Sequence, residues 1–310
     1  MEPLIIASGL TKRFRRLLAV NDLNLEVGWG EVFGFLGPNG AGKSTTLRMM
    51  VGLIRPTSGS VSLFGHDVWT RRHRALKNVG AMIEAPAFYK YLSGRDNLRV
   101  LANTGGDCTG KQIDEALDTV GLLGRAGDKV NAYSQGMRQR LGIALAIIGK
   151  PDLVLLDEPT NGLDPQGMKE VRMLIGQLAS DFGQTVFLSS HLLYEVEQVC
   201  TRIAVINKGR VIESGRVSDL LGGSSVYDIK VDNAAKALGV MDKIEWVEAA
   251  PRPEDSATLN VKLSGGDSAE LNRLLVEQGV GVSALMPRRT SLEELYLSLM
   301  EGDNAAANRI

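Results

Sequence analysis

The stretch Val32-Phe33-Gly34-Phe35-Leu36-Gly37-Pro38-Asn39-Gly40-Ala41-Gly42-Lys43-Ser44-Thr45 decides the fold. Its first five residues make a near-continuous apolar run, the mark of a strand buried on both faces. Gly37 to Ser44 fit GxxxxGK[ST], and the run Ser44 to Val51 predicts a helix behind them. Strand, glycine-rich turn and helix in that order make a phosphate-binding loop. The glycines let backbone N–H groups curl around a polyphosphate without side-chain clash. The helix beginning near Lys43 aims its positive end at the same anion. Lys43 is then placed to reach the β- and γ-phosphates, Ser44 to offer its hydroxyl to Mg²⁺, and Thr45 to add an N–H to the cradle.

A second buried run, Leu153-Val154-Leu155-Leu156, delivers Asp157 and Glu158 at its end. Asp157 is the candidate holder of Mg²⁺ through water. Glu158, next in line, is the candidate general base that polarises an attacking water. Taken alone, the pair could be an ordinary acidic strand end; the phosphate loop gives it meaning.

Around these two runs the chain alternates strand and helix. Leu4 to Leu25 reads as two antiparallel strands joined by a turn near Arg13–Arg16. Arg95–Leu101, Lys111–Leu123 and Gln135–Ile148 carry helical apolar spacing, and so does the run from Pro165 to Asp181. Strands are expected at Val186–Ser189, Ile203–Ile206 and Arg210–Glu213, the last two as a hairpin split by Lys208-Gly209, with a helix over His191–Thr201. This pattern predicts an α/β core with helices on the faces of a largely parallel sheet. Leu221-Gly222-Gly223-Ser224-Ser225 reads as a linker. Beyond it the pattern resets to strands at Val226–Val231, Ile244–Ala249, Leu259–Leu263 and Val282–Met286, with helices at Ala234–Met241, Ser268–Glu277 and Ser291–Leu299. That is a small α+β domain.

Composition narrows the classes. The 310 residues are 44% apolar, with a net charge of −1. The basic clusters Lys12-Arg13-Phe14-Arg15-Arg16 and Arg71-Arg72-His73-Arg74 are short, and a solvated surface accounts for both, so a nucleic-acid partner is not expected. The two cysteines, Cys108 and Cys200, lack metal-type spacing and point to a reducing compartment. Met1-Glu2-Pro3 does not open a secretory signal. No run approaches the roughly 20 apolar residues of a membrane span.

Four further segments fall in a telling order. Tyr133-Ser134-Gln135-Gly136-Met137 precedes a helix, Gly162-Leu163-Asp164 follows Glu158, and Leu188-Ser189-Ser190-His191 ends a strand. Phe14 stands near the N-terminus. Together with the phosphate loop they resemble the ATP-binding cassette (ABC) family over residues 4 to about 220. The signature segment of that family usually reads LSGGQ. Here Tyr replaces Leu, Gln replaces the first Gly and Met replaces the final Gln. The serine and second glycine are kept. The resemblance implies that Ser134, Gln135 and Gly136 cap the γ-phosphate of an ATP held by a second cassette, that Asp164 crosses to the partner, that His191 senses the γ-phosphate, and that Phe14 stacks on adenine. It also implies a head-to-tail homodimer with ATP and Mg²⁺ at shared sites. The expected fold is a P-loop ABC nucleotide-binding domain over residues 1–221. It comprises a mixed core sheet, an antiparallel N-terminal β subdomain and a helical subdomain at about 85–150. A linker at 222–225, an α+β accessory domain at 226–300 and a tail at 301–310 complete the chain.

One departure is informative. Ile83-Glu84-Ala85-Pro86-Ala87-Phe88-Tyr89, with Leu92, Gly94 and Asn97-Leu98 beyond, places Glu84 where most cassettes carry glutamine. The pattern IExPxFYxxLxGxxNL resembles the bacitracin- and lantibiotic-type exporter ATPases, which pair with separate ABC-2 type permeases. The resemblance implies an ATP-hydrolysing subunit at the cytoplasmic face of a membrane, powering export of a drug, antimicrobial peptide or lipid-like cargo. Glu84 either contributes to the Mg²⁺ site or faces the permease. The alternatives are a soluble ABC ATPase working on ribosomes or DNA, and a P-loop kinase. The first usually carries tandem cassettes or long coiled-coil insertions, absent here. The second leaves Ser134-Gln135-Gly136 and His191 without a role.

Overall fold

The N-terminal bursts pair antiparallel as β1 (Ile5–Phe14) and β2 (Leu17–Val27) of the computed structural model. The structure describes residues 2–84, 87–103, 108–222, 225–252, 255–264, 267–288 and 291–307. In β2 the buried positions Val20, Leu23, Leu25 and Val27 are separated by polar residues that stay outside, the period of a half-buried strand. Then come β3 (Val32–Leu36), α1 (Lys43–Met50), β4 (Ser58–Leu63), β5 (His66–Asp67), α2 (Arg72–Leu76) and β6 (Val79–Met82). Three helices follow, α3 (Gly94–Ala102), α4 (Gly110–Thr119) and α5 (Gln135–Ile147). The first unit continues with β7 (Leu153–Asp157), α6 (Pro165–Ser180), β8 (Thr185–Ser190), α7 (Leu193–Val199), β9 (Arg202–Asn207) and β10 (Arg210–Arg216).

Two sheets organise this part. One is antiparallel, in the order β2-β1-β4-β5; the other is six-stranded, in the order β10-β9-β3-β8-β7-β6, parallel except for β10. Every residue of β3, β7 and β8 is buried. Phe33 stacks on Phe187 at 5.4 Å between ring centroids, and Phe35 tilts onto the same ring. Each such buried side chain stabilises the fold by roughly 1.5–3 kcal/mol. Because the strands are parallel, the segments after β3, β6, β7 and β8 all leave from one edge of the sheet. These segments carry Gly37–Lys43, Glu84, Glu158 and His191.

The chain divides into two compact units, Met1–Val217 together with Leu299–Ile310, and Ser218–Ser298. The break falls ahead of the expected linker: α8 (Val217–Gly222) occupies its start, while Gly223 and Ser224 lie outside the described residues. The second unit holds β11 (Ser225–Val231), α9 (Ala234–Met241), β12 (Val247–Arg252), β13 (Asp255–Leu263), α10 (Ser268–Glu277) and β14 (Val282–Arg288), and α11 (Leu292–Ala307) begins within it. Its strands pair antiparallel in the order β12-β13-β11-β14, the split βαββαβ arrangement. Ile229, Val231, Leu259 and Val261 pack with Ala237, Met241, Leu271 and Leu275 in a core of its own. Among the described residues, no helix is long and apolar enough to cross a membrane.

Some boundaries differ from the sequence expectation, each for a local reason. The helix expected to reach Leu123 ends at Thr119, where Gly121 turns left-handed. The helix expected from His191 starts at Leu193, because the Ser190 hydroxyl accepts the Leu192 N–H and holds the turn open. The strand expected from Ile244 starts at Val247, after a turn closed by Ile244 N–H donating to Met241 O.

Gly80 in β6 marks the tightest approach of this sheet to a helix: a Cβ there would lie 1.8 Å from the Ala146 carbonyl oxygen of α5. Gly80→Ala is expected to destabilise the protein by roughly 1–3 kcal/mol or more. Gly239 in α9 faces open space. Gly239→Ala is expected to gain about 0.5–1 kcal/mol. Urea midpoints of the two variants check both signs.

Candidate nucleotide-hydrolysing site

The phosphate loop keeps its shape through two glycines. Gly42, the residue before α1, has φ +109°, and a Cβ there would meet the Ala19 carbonyl at 2.5 Å. At Gly37 a Cβ would meet the Ile206 carbonyl at 2.4 Å. Behind them the Thr46 N–H and hydroxyl both donate to Gly42 O, and Ala41 N–H donates to Pro38 O. The Lys43 side chain is only 5% exposed and curls back into the loop, donating to Gly37 O at 2.7 Å. A buried ammonium of this kind needs partners. Its ionic partner is Glu158, at 3.1 Å.

Glu158 is the meeting point. Its backbone has φ +49°, a left-handed turn at the end of a buried strand that swings the carboxylate away from the strand direction. One carboxylate oxygen takes the Lys43 ammonium and the other lies 2.7 Å from His191 Nδ1. The backbone N–H donates to Ser189 O and to Ser189 Oγ. The Ser189 hydroxyl in turn donates to Asp157 Oδ1 at 2.5 Å. Asp157 and Ser189 are register partners in adjacent parallel strands, so the sheet itself sets this contact. One serine hydroxyl thus orients Asp157 and fixes the backbone of Glu158.

Two cavities meet at Glu158 and Asn161. The first, about 310 Å³, is lined by Phe14, Leu17, Ala19, Pro38, Asn39, Gly40, Gly42, Lys43, Ser44 and Thr45. Phe14 therefore shares the phosphate-loop cavity although it lies in the antiparallel sheet. Its ring is 41% exposed, and the Lys12 ammonium sits 5.0 Å from its centroid. The second, about 540 Å³, is lined by Glu84, Gln135, Arg138, Gln139, Asp157 and Gly162.

Ser134 caps α5, accepting the Met137 N–H at 3.2 Å, and Gly136 stands open beside it. Asp164 caps α6 by accepting the Gly167 N–H, and it lines neither cavity. Glu84 has φ +70°, and its carboxylate is ion-paired with Arg48 of α1. The sequence reading missed Arg48, and it named Ser189 only within the Leu188–His191 segment, without its hold on Asp157. Arg48 lies one helical turn beyond Ser44, and that spacing is the only signal the sequence offers for it.

Among the described residues, no cluster of three or more His, Cys, Asp and Glu forms a ready-made metal cage. Mg²⁺ does not need one: it is held by one or two protein oxygens, waters and substrate phosphates. The Ser44 hydroxyl on the loop cavity and the oriented Asp157 carboxylate fit that donor set.

Residues 20–161 match the family model described as ABC transporter. Over 303 residues the chain is 38% identical to the bacitracin transport ATP-binding protein BcrA of Bacillus licheniformis, covering 97% of this chain and 99% of that protein. It is 41% identical over 203 residues to the lantibiotic transport ATP-binding protein SrtF of Streptococcus pyogenes, covering 66% and 86%. A solved ATP-binding subunit of an ABC transporter superposes with a TM-score of 0.62 at 26% identity, over 71% of this chain and 92% of that one. A cassette solved as a dimer with ADP and phosphate shares the fold, with a TM-score of 0.62 at 24% identity over 69% of this chain and 98% of that one. The chain belongs to the ATP-binding subunits of ABC transporters. It binds ATP and hydrolyses it.

Ser189→Ala removes the hydroxyl shared by Asp157 and the Glu158 N–H. It is expected to lower kcat by about 10-fold or more, as loss of an orienting partner commonly does, with nucleotide affinity little changed. Phosphate release and equilibrium nucleotide binding on the same variant separate the two effects.

Proposed function

We propose that this chain is the motor of an exporter. Two copies close head to tail on two ATP molecules at the cytoplasmic face of a membrane and drive a separate ABC-2 type permease that carries a drug, antimicrobial peptide or lipid-like cargo. The observation that carries the motor reading is the convergence of Lys43, His191 and the Ser189–Asp157 pair on Glu158, beside the phosphate-loop cavity. Glu158 takes the proton from the attacking water. His191, hydrogen-bonded to the same carboxylate, holds that carboxylate in line and meets the γ-phosphate. Lys43 turns from Glu158 to the β- and γ-phosphates when ATP enters, which frees the base as the substrate arrives. Ser44 and Asp157 would hold Mg²⁺, which would supply charge neutralisation on the phosphates. Phe14 offers its exposed ring to adenine, and Ser134, Gln135 and Gly136 face the nucleotide of the second copy. Asp164, engaged as a helix cap, sets the course of the segment that crosses to that copy. The full-length similarity to a bacitracin transport protein supports the exporter reading, as does Glu84 within the pattern that continues to Asn97-Leu98.

Glu158→Gln is expected to bind ATP with undiminished affinity and to turn over about 10²–10⁴-fold more slowly, the usual worth of a general base. Lys43→Ala is expected to lose nucleotide binding. Normal turnover in the glutamine variant overturns the base assignment.

Glu84 is held by Arg48 at the rim of the second cavity, and we assign it to coupling more than to metal binding. Glu84→Gln is expected to keep ATP binding and to lose transport more than hydrolysis. Transport per ATP, measured in vesicles containing the cognate permease, checks this; an unchanged ratio removes Glu84 from coupling.

A further inference from the structure

The backbone following the Glu84 loop is zipped to the backbone leading into the signature segment. Asn131 N–H donates to Lys90 O and Val130 N–H to Leu92 O; from the other side Gly94 N–H donates to Asp128 O and Arg95 N–H to Ala126 O. Ser93 and Lys129 bridge antiparallel between them. Within the Tyr89–Asn97 segment the buried Asn97 side chain accepts the Tyr89 N–H at 2.8 Å and donates to the Tyr89 and Ser93 carbonyls. This stretch is therefore a small rigid body.

Tyr133 joins that body to the signature. It stands where the family usually has leucine, and it is 2% exposed. Its hydroxyl donates to Arg125 O at 2.7 Å. The same oxygen lies against Gly94, where an added Cβ would come within 2.3 Å of it. At its other end, the Tyr133 carbonyl accepts from both Nε and Nη2 of Arg138, in the first turn of α5. Ser134, the N-cap of α5, is the next residue. Burial, with Asp128 nearby, pushes the phenol pKa up, so the hydroxyl keeps its proton and remains a donor. A leucine would fill apolar volume but hold neither Arg125 nor the close seat on Gly94.

We propose that Tyr133 is a positioning residue that ties the Leu92–Gly94 backbone to the signature Ser134, and so sets how Ser134 meets the nucleotide held by a second copy. The proposal rests on the reading of Ser134 as a ligand to the partner's ATP. Without the hydroxyl, Tyr133 loses its bond to Arg125 O and its seat against Gly94; the backbone bonds at Val130 and Asn131 remain, but the side chain next to Ser134 no longer fixes how that residue is presented.

The test uses the full chain carrying Glu158→Gln, with ATP as the probe. The readouts are ATP-driven dimerisation by sedimentation and the affinity of the monomer for a fluorescent ATP analogue. Tyr133→Phe is expected to raise the ATP concentration for half-maximal dimerisation about tenfold, equivalent to ~1.4 kcal/mol, with the monomer's affinity unchanged. Ser134→Ala is expected to do the same, and the Tyr133→Phe/Ser134→Ala pair to be no worse than Ser134→Ala alone. Gly94→Ala pushes on the hydroxyl from the other side and is expected to weaken dimerisation. Combined with Tyr133→Phe, it should fall back to the Tyr133→Phe level, because the nearest ring atom would then be Cζ at 3.1 Å. Dimerisation of Tyr133→Phe like its parent, or an effect fully additive with Ser134→Ala, overturns the proposal. Ser134→Ala dimerising like its parent removes the underlying reading of Ser134, and the proposal falls with it.

Discussion

Glu158 is shared by two basic side chains, and the rest of the site is arranged around that sharing. Its carboxylate holds the buried Lys43 ammonium on one oxygen and His191 on the other. An ammonium as buried as Lys43 would be costly without a counter-charge. Glu158 supplies that counter-charge. In the proposed mechanism a triphosphate at the loop would supply it instead, with more charge. On that proposal, substrate binding and release of the base would be one electrostatic exchange. The left-handed backbone of Glu158 makes the exchange possible, because an extended continuation of β7 would direct the side chain elsewhere.

That geometry depends in turn on sheet register. Asp157 lies opposite Ser189, so one hydroxyl can donate to the carboxylate and accept the next backbone N–H. Parallel pairing of β7 and β8 puts their two ends side by side, which brings His191 to Glu158 across a separation of 33 residues. The phosphate loop sits on β3, the other neighbour of β8. Three strand ends bring the phosphate loop, Glu158 and His191 together. The placement follows from the parallel order alone.

The phosphate loop, the Asp157-Glu158 strand end and the alternation of β2 were legible in the sequence because the chemistry of each is local. Each needs only its neighbours to make sense. The same holds for α9 and α10, which match the expected spans. The strand β4 was not legible. Ser58-Gly59-Ser60 lacks apolar alternation, and it is a strand because β1 pairs with it: Ser8 lies opposite Ser60, and Gly59, with φ +78°, passes so close to Gly9 that a Cβ would meet its carbonyl at 2.2 Å. Ser189 read as part of the switch segment, but its hold on Asp157 exists only through pairing with β7. Arg48 read as an ordinary helix residue, since its partner is 36 positions away. What the sequence hides here is adjacency, and adjacency is supplied by the fold.

The carboxylate at position 84 shows how such a hidden partner changes the electrostatics of a site. Asp157 and Glu158 already line the second cavity, and a third acid on the same wall would raise the cost of bringing in a polyphosphate. Arg48 offsets it. Its guanidinium rises from the helix that begins with Lys43 and Ser44, so the group neutralising Glu84 is anchored to the element that follows the phosphate loop. Both side chains are substantially solvated, 32% and 61% exposed. Salt therefore screens their attraction far more than that of the buried Lys43–Glu158 pair. The weaker pair is the one that can open without unfolding anything. A glutamine at position 84 would be neutral and make no such tie. With glutamate, the residue two beyond β6 is tied to α1 by an ion pair, while further along Tyr133 bonds Arg125 O and packs against Gly94. In the proposed dimer, one stretch of chain would thus be linked to both kinds of nucleotide contact, its own phosphate loop through Arg48 and the partner's nucleotide through the signature helix.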